Sequence, residues 1–400
     1  MPGRGANRVD NIWLVAAAWM GLALAASLVS IQLGISVALI EILVGVLAGN
    51  FLGLHSTGWV DFLATFGSGL LTFLAGAEID PEALRRHKRP ALAIGAVSCL
   101  LPFAGAFAFA FWAAHWELHA ALIAGVALST TSVAVVYAVM VETGLNRTEL
   151  GKLILAACFV TDFGTVLLLG ILFARFDAWM LLFLAITVLV LWNLPQLLRL
   201  VIARLGHRVS EPEIKFLFLV LFGLGGLAKL AQSEAVLPAY LVGLAVAGVF
   251  LRDRVLMDRM RTIAFSLLTP FYFLKAGLYV SLPAVASGAG LIAALLLVKM
   301  AAKGVGVWPV AGAFGLARRD NAYTTLLMST GLTFGTISAL FGLDNHIINQ
   351  AQYTILVTTV IGSAVVPTLI AQRYFTPTVP SVDGAPAGEY RLPKRRATDR

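Results

Sequence analysis

The chain has 400 residues, of which 59% are hydrophobic and only 12% are charged, and its mean hydropathy is +0.88. About a quarter of the residues of a soluble protein are charged, so this composition excludes a soluble enzyme and a separate nucleotide-binding domain. The net charge is +8, but the basic residues lie mainly in short loops between apolar segments and in the tail, which does not favour a nucleic-acid partner. An integral membrane protein embedded in a lipid bilayer is predicted.

The apolar residues form segments of helical length separated by short polar stretches. Thirteen such segments are predicted, near residues 12–32, 35–54, 60–79, 90–114, 118–141, 149–174, 178–204, 213–232, 235–251, 259–280, 288–315, 321–342 and 347–371. They lack the alternation of barrel strands. The sequence therefore predicts an all-α transmembrane domain of about 13 helices over residues 1–375, followed by a disordered basic tail at 376–400.

The distribution of Lys and Arg predicts the orientation in the membrane. Twenty-two of these residues follow the third, fifth, seventh, ninth and eleventh segments or lie in the tail, whereas four lie on the other side. Cytoplasmic loops carry the excess of positive charge. We therefore expect an external N-terminus and a cytoplasmic C-terminus.

Clusters of hydroxyl residues and glycines interrupt the fifth and twelfth segments at matching positions. The first cluster is Ser129, Thr130, Thr131 and Ser132, and the second runs from Ser329 through Gly331 and Thr333 to Gly335. If the seventh segment is a connector, the two halves of the chain form inverted repeats, and such repeats commonly contain helices that unwind at the bilayer midplane. Two discontinuous helices are predicted, with their free backbone groups available to an ion.

Three acidic residues lie within or near the ends of apolar segments. Asp162 is close to the centre of the sixth segment, where a carboxylate is unfavourable and usually marks an ion or proton pathway; the alternative is a hydrogen bond between helices. Glu41 and Glu78 lie nearer to helix ends, and Glu78 could simply share an interface with Asp80 and Glu82.

Lysines also lie inside apolar segments. Lys303 and Lys299 are one turn apart in the eleventh segment, and Lys275 follows an aromatic run in the tenth. Such lysines need partners, either as counter-ions to buried acids or as direct support of an ion site.

Several segments together resemble a known superfamily. The run ALSTTSVAVVYAVMVETGLNRTELGKLILAACFVTDFGTVLLLG, with SVALIEILVGVLAG, FLAGAEIDP, FYFLKAGLYVSL and the Lys303 segment, is similar to the monovalent cation:proton antiporters. The branch includes bacterial sodium/proton antiporters and potassium-efflux systems. The resemblance covers roughly residues 30–370.

The resemblance implies roles for individual residues. Asp162 matches the acid that binds cation and proton alternately. It is therefore the residue expected to hold the monovalent cation. Ser129, Thr130 and Thr131 match the unwound segment that contributes oxygen ligands. Lys303 matches a lysine that pairs with a preceding acid, but that acid is replaced by Thr161 in this chain. Lys275 is unusual at its position, and Glu41 and Glu78 are expected to be supporting charges.

The resemblance also implies an architecture and an activity. We expect core helices near 90–174 and 288–371, which contain the two discontinuous helices crossed over each other, and a panel of the remaining helices that mediates a homodimer in a bacterial inner membrane. The expected activity is electroneutral exchange of Na⁺ or K⁺ for H⁺ by alternating access, without a cofactor. An intramembrane enzyme is not expected because no nucleophile with an adjacent base appears. The alternative is an inverted-repeat symporter that binds an organic anion through its lysines.

Overall fold

The computed structural model describes residues 12–33, 37–79, 86–143, 145, 148–173, 178–206, 208–231 and 236–377, and these residues form an all-helical protein. The predicted tail beyond residue 377 lies outside the described residues. Asp80 and Glu82 also lie outside them, so their proposed interface with Glu78 stays a prediction.

By their contacts, the described helices form two groups that alternate along the chain. One group, here the panel, begins with α1 (Ile12–Leu33), α2 (Val37–Phe51) and α3 (Gly58–Ala77). The second group, here the core, begins with α4 (Lys88–Ala108), α5 (Leu118–Ser129), α6 (Val133–Glu142) and α7 (Glu149–Leu172). The panel continues with α8 (Ala178–Leu205), α9 (Pro212–Leu230), α10 (Val236–Phe250), α11 (Arg254–Ile263) and α12 (Thr269–Leu278). After the short α13 (Leu282–Ser287), the core is completed by α14 (Ala289–Ala313), α15 (Arg318–Met328), α16 (Thr333–Asp344) and α17 (Gln350–Ile370).

The described helices have the length and composition of a membrane protein. Eight helical stretches are long and apolar enough to span a bilayer, and three shorter apolar helices lie at Val37–Phe51, Leu118–Ser129 and Pro238–Phe250. Helices occupy each predicted segment, which confirms the all-helical fold. The count of thirteen crossings stays a prediction.

Local sequence signals explain where two core helices begin. The Thr148 hydroxyl accepts a hydrogen bond from the Gly151 N–H at 3.1 Å and caps α7. Asn349 and Gln352 form a reciprocal capping box at the start of α17. Both caps satisfy N–H groups that have no partner inside the first helical turn.

Glycines allow close backbone contact at two helix crossings in the panel. Gly45 of α2 and Gly277 of α12 each face the backbone of the other helix, without room for a Cβ atom. Gly76 of α3 and Gly243 of α10 do the same at the second crossing. The second and third predicted segments thus pack on the tenth and ninth, the pairing that two inverted repeats generate.

Two core helices are interrupted, as predicted. Residues 130–132 separate α5 from α6, and residues 329–332 separate α15 from α16. Thr130 has extended backbone angles, with φ −66° and ψ 153°, so the backbone leaves the helix at the hydroxyl cluster. Each break leaves the carbonyls of one half-helix and the N–H groups of the next without intrahelical partners.

Candidate ion-binding site

The two helix breaks contact each other inside the core. The Thr131 hydroxyl of the first break donates to the Met328 carbonyl at the end of α15, at 2.9 Å. Gly335, in the first turn of α16, lies against the Ala127 carbonyl of α5. At Gly331, a Cβ would lie 2.8 Å from the Thr130 hydroxyl oxygen. The predicted crossing therefore brings hydroxyl and carbonyl oxygens from both breaks together.

Asp162 lies in the middle of α7 and is 1% exposed. Its Oδ1 atom is buried and has no hydrogen-bond partner within the part of the chain that the structure describes. A buried carboxylate without a partner is strongly unfavourable in its charged form. The arrangement therefore favours a proton or a cation on this carboxyl group.

Thr161, which replaces an acid of the superfamily pattern, is bonded to backbone atoms. Its hydroxyl lies 3.1 Å from the Ala157 carbonyl of its own helix and 3.2 Å from the Gly95 carbonyl of α4. One hydroxyl proton shared between these carbonyls links α7 to α4. Thr161 supplies neither a negative charge nor a titrating proton.

Lys303 is fully buried and is satisfied by neutral oxygens. Its Nζ atom donates to the Ser98 hydroxyl at 2.7 Å, the Thr131 hydroxyl at 3.0 Å and the Ser129 carbonyl at 3.1 Å. The Ser129 carbonyl lies at the C-terminal end of α5, where the helix dipole attracts a cation. Lys303 and Asp162 are both among the described residues, and their side chains form no ion pair.

Lys299 lies one turn from Lys303 and is placed at the second break. Its Nζ atom donates to the Ser363 hydroxyl of α17 at 3.0 Å, and Ser363 lies 3.3 Å from the Gly331 carbonyl. A Cβ atom at Gly331 would collide with Lys299 Nζ. Each buried lysine of α14 thus contacts a different helix break.

Sequence reasoning missed the hydroxyl residues that complete these contacts. Ser98 and Ser363 bind the two lysines, and the Thr165 hydroxyl lies 3.1 Å from that of Ser129. Single hydroxyls in apolar helices carry little signal, because most of them bond to the preceding turn of their own helix.

Tyr240 of α10 covers the same part of α7 from the panel side. It is fully buried, its hydroxyl donates to the Phe159 carbonyl at 3.2 Å, and its ring lies 5.9 Å from that of Phe163. These contacts flank Asp162 on both sides in sequence. The sequence alone gave no reason to select this tyrosine.

Other predicted residues lie apart from the breaks. Glu78 pairs with Arg261 at 2.9 Å at the end of α3, so it is not held by Lys275 or Lys303. Lys275 contacts Asp61 and Asp344 instead. Glu41 is 1% exposed and lies on α2, which packs on α1 and α12. Thr333 begins α16.

Similarity to known proteins indicates the family of the chain. A family model described as "Sodium/hydrogen exchanger, transmembrane" matches residues 20–376. The chain belongs to this family. A Na⁺/H⁺ antiporter of Enterococcus hirae is 27% identical over 375 residues, covering 87% of this chain and 94% of that protein. The probable Na⁺/H⁺ antiporter 3 of Methanocaldococcus jannaschii is 24% identical over 350 residues, covering 84% and 88%.

Two further similarities extend the comparison. The Na⁺/H⁺-K⁺ antiporter GerN of Bacillus cereus is 23% identical over 349 residues, covering 83% of this exchanger and 88% of that protein. The structure of the sodium proton antiporter MjNhaP1 from Methanocaldococcus jannaschii superposes with a TM-score of 0.66 at 15% identity, covering 90% and 97% of the two chains. The exchanger thus has the sodium/proton antiporter fold. It is a multi-pass membrane transporter, not an enzyme.

Proposed function

We propose that this exchanger moves Na⁺ or K⁺ in one direction and H⁺ in the other through Asp162. The observation that carries this proposal is the buried Asp162 Oδ1 atom, which has no hydrogen-bond partner among the described residues. Asp162 lies in a core helix beside two helix breaks. The similarity to proteins named as Na⁺/H⁺ antiporters supports this reading over an organic-anion symporter. GerN, named as a Na⁺/H⁺-K⁺ antiporter, supports K⁺ as a second candidate cation.

Exchange follows from competition for one carboxyl group. Either a proton or a partly dehydrated cation neutralises Asp162, and the two exclude each other because they use the same oxygen atoms. Ser129, Thr130 and Thr131 lie at the break and are the proposed sources of further oxygen ligands. Only a neutralised carboxyl group crosses the apolar interior at low free-energy cost.

Alternating access is proposed to come from movement of the core against the panel. The site is built from core helices, while Tyr240 closes it from the panel. A relative displacement of the two groups would expose Asp162 to one side of the membrane at a time. We assign the N-terminus to the outside and the C-terminus to the cytoplasm from the loop charges.

We further propose a homodimer in a bacterial plasma membrane, with α8 of the panel in the contact. This helix exposes large apolar side chains, including Trp192 at 80% and Leu189 at 64%. An exposed apolar face of this kind is covered by lipid or by a second subunit. Disulfide formation by a Leu189→Cys variant in membranes would support the dimer, and a monomer by mass analysis in nanodiscs would contradict it.

The proposed exchange is electroneutral. Thr161 cannot release a proton in place of the missing acid, and Lys303 bonds only neutral oxygens. One carboxyl group then carries one proton or one monovalent cation, and the loaded site has the same charge in both directions.

Purified protein in liposomes with an internal pH dye tests the exchange. Addition of Na⁺ or K⁺ alone should change the internal pH, whereas protein-free liposomes should show no response. A response that requires an added organic solute would contradict the antiporter and favour the symporter. Na⁺ and K⁺ titrated separately on the same preparation would rank the two cations.

Recordings on solid-supported membranes test the stoichiometry. Cation jumps should produce no sustained charge movement in the unmodified protein. A sustained current that Lys303→Gln abolishes would overturn the electroneutral proposal and make that lysine a proton carrier.

A further inference from the structure

Lys275 lies at the boundary between the two groups of helices and contacts two carboxylates. Its Nζ atom lies 3.0 Å from Asp61 Oδ1 and 3.4 Å from Asp344 Oδ2. Asp61 is on α3, in the same panel as Lys275, whereas Asp344 ends α16 of the core. One ion pair is therefore internal to the panel, and the other joins the panel to the core.

The three side chains differ in exposure. The Lys275 side chain is 4% exposed, but the Asp61 and Asp344 side chains are each 46% exposed. Half-exposed carboxylates are stable in water without a partner, whereas a buried ammonium is not. The lysine thus needs at least one of the carboxylates in every conformation, while either carboxylate can leave.

The panel and the core meet elsewhere at the same end of α12. The Tyr353 hydroxyl of α17 donates to the Ala276 carbonyl at 2.6 Å, and the Ser281 N–H donates to the Thr354 hydroxyl at 3.1 Å. This end of the molecule is the predicted outer side. The Lys275–Asp344 pair is part of a polar contact between the two groups there.

Two cavities are lined by Asp344. A cavity of about 80 Å³ is lined by Lys275, Asp344, Ser68 and Tyr272, whose buried hydroxyl has no hydrogen-bond partner within the described residues. A second cavity of about 440 Å³ lies between α3, α9 and α16 and is also lined by Asp344. Both members of the ion pair thus line the small cavity, and Asp344 lines the larger one as well.

We propose that the Lys275–Asp344 pair is an ionic latch that closes the outer end of the boundary between core and panel. Asp61 keeps Lys275 paired when Asp344 moves away with the core, so opening does not leave a buried ammonium without a counter-ion. Asp61 stays paired with the lysine, and Asp344 separates from it. This inference rests on the proposed alternating access.

The latch is tested by the accessibility of the small cavity. Ser68 is 9% exposed and lines that cavity, so a Ser68→Cys variant reports its opening by reaction with a polar maleimide in nanodiscs. Peptide mass analysis separates this cysteine from Cys99 and Cys158, which are both buried. The test compares Asp344→Asn with Asp61→Asn, the same substitution on the two sides of one lysine.

The two substitutions should act in opposite directions. Asp344→Asn should raise the labelling rate about fivefold, because the ion pair that held the latch closed is lost. Asp61→Asn should lower the rate by a similar factor, because opening would now strand the lysine. Lys275→Met removes the ammonium group of the latch and should also raise the labelling rate. Tyr272→Phe should leave the labelling rate unchanged.

Equal labelling rates in the Asp344→Asn, Lys275→Met and unmodified backgrounds would overturn the latch. A similar rise in Asp61→Asn and Asp344→Asn would do so as well, because it would indicate a structural clamp. Labelling does not require transport, so the two proposals fail separately. Exchange without a labelling response removes the latch only, and a labelling response without exchange removes the proposed function only.

Discussion

Two buried lysines of this exchanger have opposite surroundings. Within the described part of the chain, Lys303 at the helix breaks donates only to neutral oxygens, and one oxygen of Asp162 in the same core has no hydrogen-bond partner. Lys275, at the end of the panel, is shared by two carboxylates. The acid of the central site is left free for a mobile ion, whereas the peripheral acids are occupied by a side chain.

The largest expected effect is the difference between the same substitution, Asp to Asn, in the two regions. Asp162→Asn should abolish exchange, because the amide cannot take up a proton or balance a cation. Asp61→Asn should retain at least about a tenth of the exchange rate, because Lys275 keeps Asp344 as a partner. Both rates are measured from the cation-driven pH change in liposomes, with thermal unfolding as the test of folding. Exchange by Asp162→Asn near the unmodified rate would remove Asp162 from the mechanism.

The pH dependence sharpens the same contrast. If one proton and one cation compete at Asp162, lowering the pH adds protons to the carboxyl group and weakens apparent cation binding. The apparent KM should therefore rise by up to about tenfold for each pH unit lowered, and level off at high pH. Initial rates against cation concentration between about pH 6 and 9 test this slope. A KM that is constant across the window would argue against a shared site.

A glycine at the crossing should be more sensitive than a glycine facing open space. Gly331→Ala would push Lys299 away from the second break and crowd the Thr130 hydroxyl, so exchange should fall about tenfold or more, with a stability loss of about 1–3 kcal/mol. Gly304→Ala is the matched control on α14, because no atom lies within 4 Å of its added Cβ. Equal exchange rates for the two variants would show that the second break tolerates displacement of Lys299.

The smallest effect is expected at Glu78. Its pair with Arg261 joins side chains that are 29% and 37% exposed, and exposed pairs contribute less than about 1 kcal/mol. Glu78→Gln should therefore change the exchange rate by less than about twofold and the unfolding temperature by little. Loss of exchange in Glu78→Gln would indicate that Glu78 takes part in exchange, although it lies away from the helix breaks.

The candidate site was partly predictable from the sequence. A carboxylate in the middle of an apolar helix and two hydroxyl-rich interruptions are local features, and both exclude an ordinary membrane-spanning helix. These features predicted Asp162 and the two breaks that the structure has at 130–132 and 329–332. The partner of Lys275 was less predictable, because Asp61 and Asp344 are far from it in sequence and near helix ends where acids are common.

What the sequence determined by itself was the class of protein and the residues that are unfavourable in a membrane, because hydropathy, loop charge and buried charge act within one segment at a time. Only the tertiary structure decided which oxygens satisfy each charge. Lys303 lies on Ser98, Ser129 and Thr131, and Lys299 on Ser363, although none of these partners belongs to the lysines' own helix. Such hydrogen bonds depend on how the helices cross, and a single hydroxyl in an apolar helix gives no sign of which neighbour it will meet.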